Sequence, residues 1–430
     1  MLSNFLTGKD KNIKRSSIIW NSIGGALNAG QVAIMLIFIS YKMGHITAGM
    51  ITISYAVANL FMSAGKYGIR NYQVTDIEEE YGFGDYLLNR ITTVVLTLII
   101  AVIYAIYCYR FQGYSIDKTF ILFEVIVLKM IDAFVDVFYG RFQQKERLDI
   151  GSRIMSVQCF LYTLCICVMV MIGFNIHICM MGGIVTSLIV SLIMIFIGRS
   201  YLQMRYIRFD IKKNLSLLKR CFSLCIGITL SIYVGNIPKY LIDAYMDEHT
   251  QAIFGYIMMP VFVVTLLNQF IYQPTVKDLG NLWNEGEIKD FKRKVLRQCL
   301  IVLVLMIIIT VGGLIVGLPM LSIMYHTNLS KYRMEFALLL VGGSLYALAF
   351  YLNVPITTIR KQRYIAVGYI LASIISLIFG NWFVNGKGIL GASLLYLFIN
   401  LILVVLYVFC VLLEINRVDK KSSDNGLRGV

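Results

Sequence analysis

Glu124, Lys129, Asp132 and Asp136 stand inside a run, Phe120 to Gln144, that is otherwise apolar enough to cross a bilayer. At about 100° per residue, Lys129, Asp132 and Asp136 fall within roughly 60° of one another, and Tyr139 and Gln143 continue the stripe. At about 1.5 Å per residue, Lys129 lies roughly 16 Å from the outer end of the run, near the midplane. A charge there costs about 2.5 to 3.5 kcal/mol, so these side chains must turn away from lipid. Two chemistries fit. Lys129 and Asp132, three residues apart, can neutralise each other as an internal ion pair. Alternatively the stripe lines a polar passage, in which Lys129 meets an anion while Glu124, Asp132 and Asp136 titrate to couple or gate movement.

Two further stripes carry similar chemistry. Tyr55, Asn59, Ser63, Lys66 and Arg70 share about 80° of a second apolar helix. Lys66 and Arg70 come at its basic end, where interfacial anchoring competes with a substrate-facing role. A later segment, GNIPKYLID, places Asn236, Lys239 and Asp243 at i, i+3 and i+7, and snorkelling to headgroups is the alternative for Lys239. Hydroxyls, amides and aromatic faces with a few cations suit a sugar-bearing anion: polar groups replace water around a glycan, and lysine or arginine meets phosphate.

Such residues need long apolar helices to hold them, and the composition supplies these. The 430 residues are 58% hydrophobic and 15% charged, with mean hydropathy +0.74. Twelve spans are expected near 16–40, 46–66, 91–109, 118–139, 152–173, 178–198, 221–243, 253–275, 299–321, 334–355, 365–384 and 389–413. The fold class is therefore an all-α polytopic membrane protein, twelve helices in two six-helix bundles around a central cavity. The expected domains are 1–198, a cytoplasmic amphipathic connector at 199–220, a second bundle at 221–413 and a cytoplasmic tail at 414–430. Roughly 31 of the 39 lysines and arginines fall on the side of the N-terminus and about 6 on the other. That asymmetry puts both termini in the cytoplasm, and explains the net charge of +15 without nucleic acid.

An offset of about 205 residues aligns Gly30-Gln31 with Gly235-Asn236 and Asp85-Tyr86 with Asp290-Phe291, which suggests a parallel duplication. All five prolines (238, 260, 274, 319 and 355) fall in the second half, as static kinks or as hinges. The nine cysteines lie in or beside apolar runs, with no C-x-x-C pair or metal-ligand spacing. His45, His177, His249 and His326 are scattered singly. No metal or cofactor is expected, and no nucleotide-binding motif or nucleophile elbow occurs.

NIPKYLIDAYMDEHTQAIFGYI (236–257), Gln273-Pro274 and Asp290-Phe291 resemble the second half of bacterial polysaccharide-repeat-unit (Wzx-type) flippases of the multidrug/oligosaccharidyl-lipid/polysaccharide exporter superfamily. YGIRNYQVTDIEEEYGFGDYLLNRI (67–91) and DVFYGRFQQKERLDIGS (136–152) are similar to that family's connections between spans two and three and between spans four and five. The resemblance implies a multi-pass protein of the bacterial plasma (inner) membrane. It also implies a V-shaped cavity and export of a polyprenyl-pyrophosphate-linked oligosaccharide by alternating access, which the intramembrane carboxylates would couple to protons or sodium. Membrane lipids, a glycan polymerase and glycosyltransferases are the implied partners. By the same resemblance Asp136, Gln143, Gln144, Arg147 and Asp149 match one motif, and Asn236, Pro238, Lys239 and Tyr240 another; Arg147 is a gating candidate or the brace of a tight turn. The alternatives are a multidrug or organic-cation antiporter of the same superfamily and a membrane glycan polymerase or glycosyltransferase.

Overall fold

The structure, a computed structural model, describes residue 6 and residues 12–76, 78–202, 210–272 and 275–426. Gln273-Pro274, residues 203–209 of the expected connector and the end of the tail lie outside the described residues. Among those described, every regular element is helical. In chain order these are α1 (Ile13–Lys66), α2 (Ile69–Thr75), α3 (Phe83–Phe111), α4 (Ile116–Gln144), α5 (Leu148–Ile172), α6 (Ile176–Gly198) and α7 (Ile211–Tyr245). They continue with α8 (Glu248–Tyr272), α9 (Thr275–Asn284), α10 (Ile288–Gly312), α11 (Leu318–Met324), α12 (Arg333–Thr358) and α13 (Arg363–Gly426). Helices satisfy their own backbone polar groups, which is what a segment in hydrocarbon requires.

Among the described residues, eight helical stretches are long and apolar enough to cross a membrane. Two of these are helix pairs rather than single spans. α1 turns at Gly44 (φ 85°, ψ 173°) and α13 at Gly388 (φ 54°, ψ −132°). Both conformations lie where a side chain is strained, so one glycine does the work of a loop. α4, at 29 residues, and α8, at 25, are also long enough for a core of about 30 Å. Together these make the twelve spans. The expected connections at 41–45 and 385–388 shrink, at Gly44 and Gly388, to a single turn.

The chain forms two compact units, Met1–Ile232 and Tyr233–Val430, with the division inside α7. The first half of α7 belongs to the first unit through side-chain bonds. Asn89 on α3 donates to the Asn214 amide oxygen at 2.6 Å, Arg220 donates to Tyr72 and Glu80 at 2.7 and 2.8 Å, and Ser63 on α1 reaches Thr229 at 3.1 Å. Pro238, Pro260 and Pro355 sit inside α7, α8 and α12.

In the first unit, caps set where the site helices begin. Ser115 accepts from Lys118 N at 3.2 Å to start α4, and Asp85 accepts from Gly82 N at 3.0 Å to start α3. α3 therefore begins at Phe83, eight residues before its apolar run, which draws Arg90 two turns inside the helix.

Candidate functional site

Asp136 on α4 is the hub of the first unit. Its carboxylate meets Arg90 Nη2 at 3.1 Å, Arg70 Nη1 at 3.2 Å and Lys66 Nζ at 3.9 Å. Arg90 spends its other terminal nitrogen on the Gly65 carbonyl at 3.0 Å, which also accepts from Thr93 at 2.8 Å. Arg70 donates onward to Gln143 Oε1 at 2.9 Å. Three elements converge here. α1 ends at Lys66, the αL residues Tyr67 and Gly68 turn the chain (φ 52° and 68°), and α2 carries Arg70 back against α4. Gly140 makes that approach possible, because a Cβ there would collide with the Gln73 side chain.

The charges do not balance: three cations surround one carboxylate. Arg90 is 0% exposed and Asp136 8%, whereas Lys66 and Arg70 keep 33% and 26% of their side-chain surface. Burial is tolerable for Arg90 because Asp136 neutralises it. The surplus positive charge is then carried by the two exposed members. Among the described residues Lys66 makes no hydrogen bond, so its ammonium donors are available to an outside anion.

One to two turns earlier on α4, the same stripe enters a second, sealed network. Lys129 Nζ donates to Asp132 Oδ2 at 3.0 Å and to Tyr162 OH at 3.2 Å, and lies over the rings of Tyr55 and Tyr162. Tyr162 donates to Gln31, which donates to Asn28 at 2.8 Å. Asp132 Oδ1 accepts from Gln158 at 3.0 Å, and Gln158 is shared with Tyr139 and Ser187. Lys129 has no exposed surface, and Asp132 has 17%. The geometry thus fits the ion-pair alternative for Lys129: its ammonium is fully engaged by protein. Tyr55 is buried under it as a wall of the network, donating its hydroxyl to Met35 Sδ at 3.5 Å.

A search of solved structures gives matches along nearly the whole chain. An inward-facing multidrug-resistance MATE transporter of the MOP superfamily superposes with TM-score 0.70 at 13% identity, over 94% of this chain and 99% of that one. The lipid II flippase MurJ, inward closed, gives TM-score 0.69 at 13% identity, over 94% and 89%. An outward-facing MATE transporter gives TM-score 0.59 at 14% identity, over 97% and 98%. The fold is that of the MOP transporters. By sequence, no protein-family model and no curated protein matches.

Within that fold the remaining sequence candidates take separate places. Asn59 is half-buried on α1, two turns before Lys66. Glu124 is at 3.1 Å from His177 Nδ1 on α6, whose other nitrogen lies 3.7 Å from Asp117. Arg147 grips Asp149 through two bonds of 2.9 and 3.0 Å and covers the Tyr201 ring at 4.7 Å. Arg147 thus braces the turn from α4 into α5, and the bond to Asp149 raises its already high pKa. In the second unit, Asn236 and Lys239 are buried on α7 and Asp243 is half-buried. Among the described residues, Lys239 has one polar contact, the face of Phe262 at 5.0 Å.

Arg90, Tyr162 and Gln158 are the members that sequence reasoning did not single out. Arg90 looks like a loop cation because it directly precedes an apolar run. Tyr162 and Gln158 sit singly in an apolar span, and no local spacing ties them to α4. A clasp of charges also closes the end of α4: Glu79 accepts from Arg141 at 2.9 Å and Lys145 at 2.7 Å. The bond to Lys145, with that to Arg141 behind it, holds the Glu79 carboxyl below its ordinary 4.5.

Proposed function

We propose that this protein is a flippase that moves a polyprenyl-pyrophosphate-linked oligosaccharide from the cytoplasmic to the outer leaflet by alternating access. One observation carries the proposal: the surplus of cation around Asp136, displayed on the half-exposed Lys66 and Arg70. A pyrophosphate offers two adjacent negative groups to such a pair, the guanidinium binding as a fork and the ammonium as a point charge. Asn59, half-buried on the same face of α1, extends the polar surface toward the glycan. Asp136 and Gln143 hold Arg70 in place, and the Lys129–Asp132 network stiffens the helices behind them. Lys239 and Asn236 offer a cation and an amide on the second unit.

The fold supports transport. Its solved examples include inward-facing and outward-facing transporters and one protein that flips lipid II. Glu124, Asp132, Asp136 and Asp243 are the proposed carboxylates for coupling to protons or sodium, and Asp132 combines a buried network with 17% side-chain exposure. The bias of lysine and arginine supports cytoplasmic termini in a bacterial plasma membrane. Neighbouring enzymes of glycan assembly would supply the cargo and polymerise it.

Multidrug antiport is the rival that the same fold permits. An organic cation would be repelled by three cations around one carboxylate. Purified protein in vesicles decides the matter. The proposal expects translocation of a fluorescent polyprenyl-pyrophosphate oligosaccharide, reduced about 10- to 100-fold by Lys66→Gln at equal protein content, from one charge-assisted bond of about 1.5–3 kcal/mol. Drug antiport without glycolipid translocation would overturn it.

A further inference from the structure

α10 opens with IKDFKRKVLRQ, and its charge is placed against its own stability. Lys289 stands in the first turn, where the helix dipole is positive and cations are disfavoured, and Lys292, Arg293, Lys294 and Arg297 follow in the next two turns. Asp290 is the one acid among them. It lies 3.3 Å from Arg293, a side chain 84% exposed, and Lys294 is taken by Asp278 at 2.5 Å. Among the described residues Lys289, Lys292 and Arg297 make no ion pair, and all three are exposed.

These cations continue an apolar face. At about 100° per residue, Lys289, Arg293, Leu296, Leu300, Val304 and Ile307 lie within roughly 80° of one another, with Lys292 at the edge. The four apolar members are 50 to 62% exposed, as side chains against lipid tails would be. The helix is too long for the hydrocarbon. With α11 continuing it, the helical stretch Ile288–Met324 spans 37 residues, about 55 Å at 1.5 Å each, against a core of about 30 Å. Because its charged residues are confined to the first three turns, those turns stand at headgroup depth. Inward on the same helix, Phe291 is buried against Trp283 at 5.1 Å, so the cationic turns are fixed rather than free to bend toward acids elsewhere.

We infer that the start of α10 is a binding site for an anionic phospholipid, with Lys289, Lys292 and Arg293 on the phosphate and the face from Leu296 onward along the acyl chain. The occupant is lipid rather than soluble phosphate because the cations lead directly into that face. Juxtamembrane cations gain about fivefold in anionic-lipid affinity each. The site is independent of the cargo-binding residues.

Trp283 makes the site readable. In the full chain carrying Trp20→Phe and Trp382→Phe it is the sole tryptophan, and vesicles of phosphatidylcholine doped with brominated phosphatidylglycerol or brominated phosphatidylcholine supply a contact quencher. The anionic lipid should quench at lower mole fraction, with a preference that falls about 100-fold in Lys289→Gln/Lys292→Gln/Arg293→Gln. Raising salt to 1 M, where screening acts within about 3 Å, should weaken that preference in the unsubstituted stretch, which keeps the test valid if the triple variant misfolds. Equal quenching by the two lipids, or a preference indifferent to salt and substitution, overturns the proposal.

Discussion

Asp136→Asn tests the architecture of the site most directly. The substitution keeps the shape of the side chain and removes the charge that Arg90, Arg70 and Lys66 share. Arg90, with no exposed surface and 3.1 Å from the carboxylate, dominates the effect. A charge stranded in the interior costs about 3–5 kcal/mol, whereas the more exposed Lys66, at 3.9 Å, contributes under about 1 kcal/mol. For a unit of this size, 1 kcal/mol corresponds to about 2–4 °C, so the melting temperature should fall by about 6–20 °C. A thiol-reactive dye can follow the melt, since Cys159, Cys167, Cys179 and Cys221 are free and buried until the helices part. Adding Arg90→Met to Asp136→Asn should restore part of the loss, because the stranded cation then disappears with its partner. A shift under about 2 °C for Asp136→Asn, or an equal drop for Lys66→Gln, would refute the reading that Asp136 neutralises a buried Arg90.

Lys129→Met should also destabilise the protein by about 3–5 kcal/mol, through the unpaired Asp132. Full abundance with transport lost would instead give Lys129 to the cargo. Gly44→Ala meets no atom within 4 Å, so its cost is backbone strain alone, about 1–3 kcal/mol by the same melt. Because the Glu79 carboxyl is held below its ordinary 4.5, its contribution is fully present above that pH and is lost as the pH falls through its folded value. Melting temperatures of the unsubstituted protein and Glu79→Gln should accordingly differ at neutral pH and converge in acid. A difference independent of pH would show that charge on Glu79 is not what closes the clasp.

The helices and one face of the site were legible from the sequence because both are local properties. Hydrophobic length marks a span, and the 3.6-residue period aligns Lys129 with Asp132 and Lys66 with Arg70 before any tertiary contact is known. Arg90 was not legible, since its partner lies 46 residues away and its depth depends on a capped start at Phe83 rather than at the edge of the apolar run. The engagement of Lys129 was only half legible: spacing proposes Asp132, but the seal comes from Tyr162, 33 residues on, and from Gln31 behind it. Gly44 and Gly388 fall in breaks that the sequence does mark, through Lys42 and His45 and through Asn385 and Lys387; the positive φ that turns the chain at one residue was not legible.

That last economy has a consequence for biogenesis. Where two spans meet at one glycine, only a few polar residues, Lys42 and His45 or Asn385 and Lys387, have to be carried across the bilayer ahead of the second span. Such a pair should leave the insertion machinery together, as a preformed hairpin, and should offer no handle on the far side to a protease or an antibody.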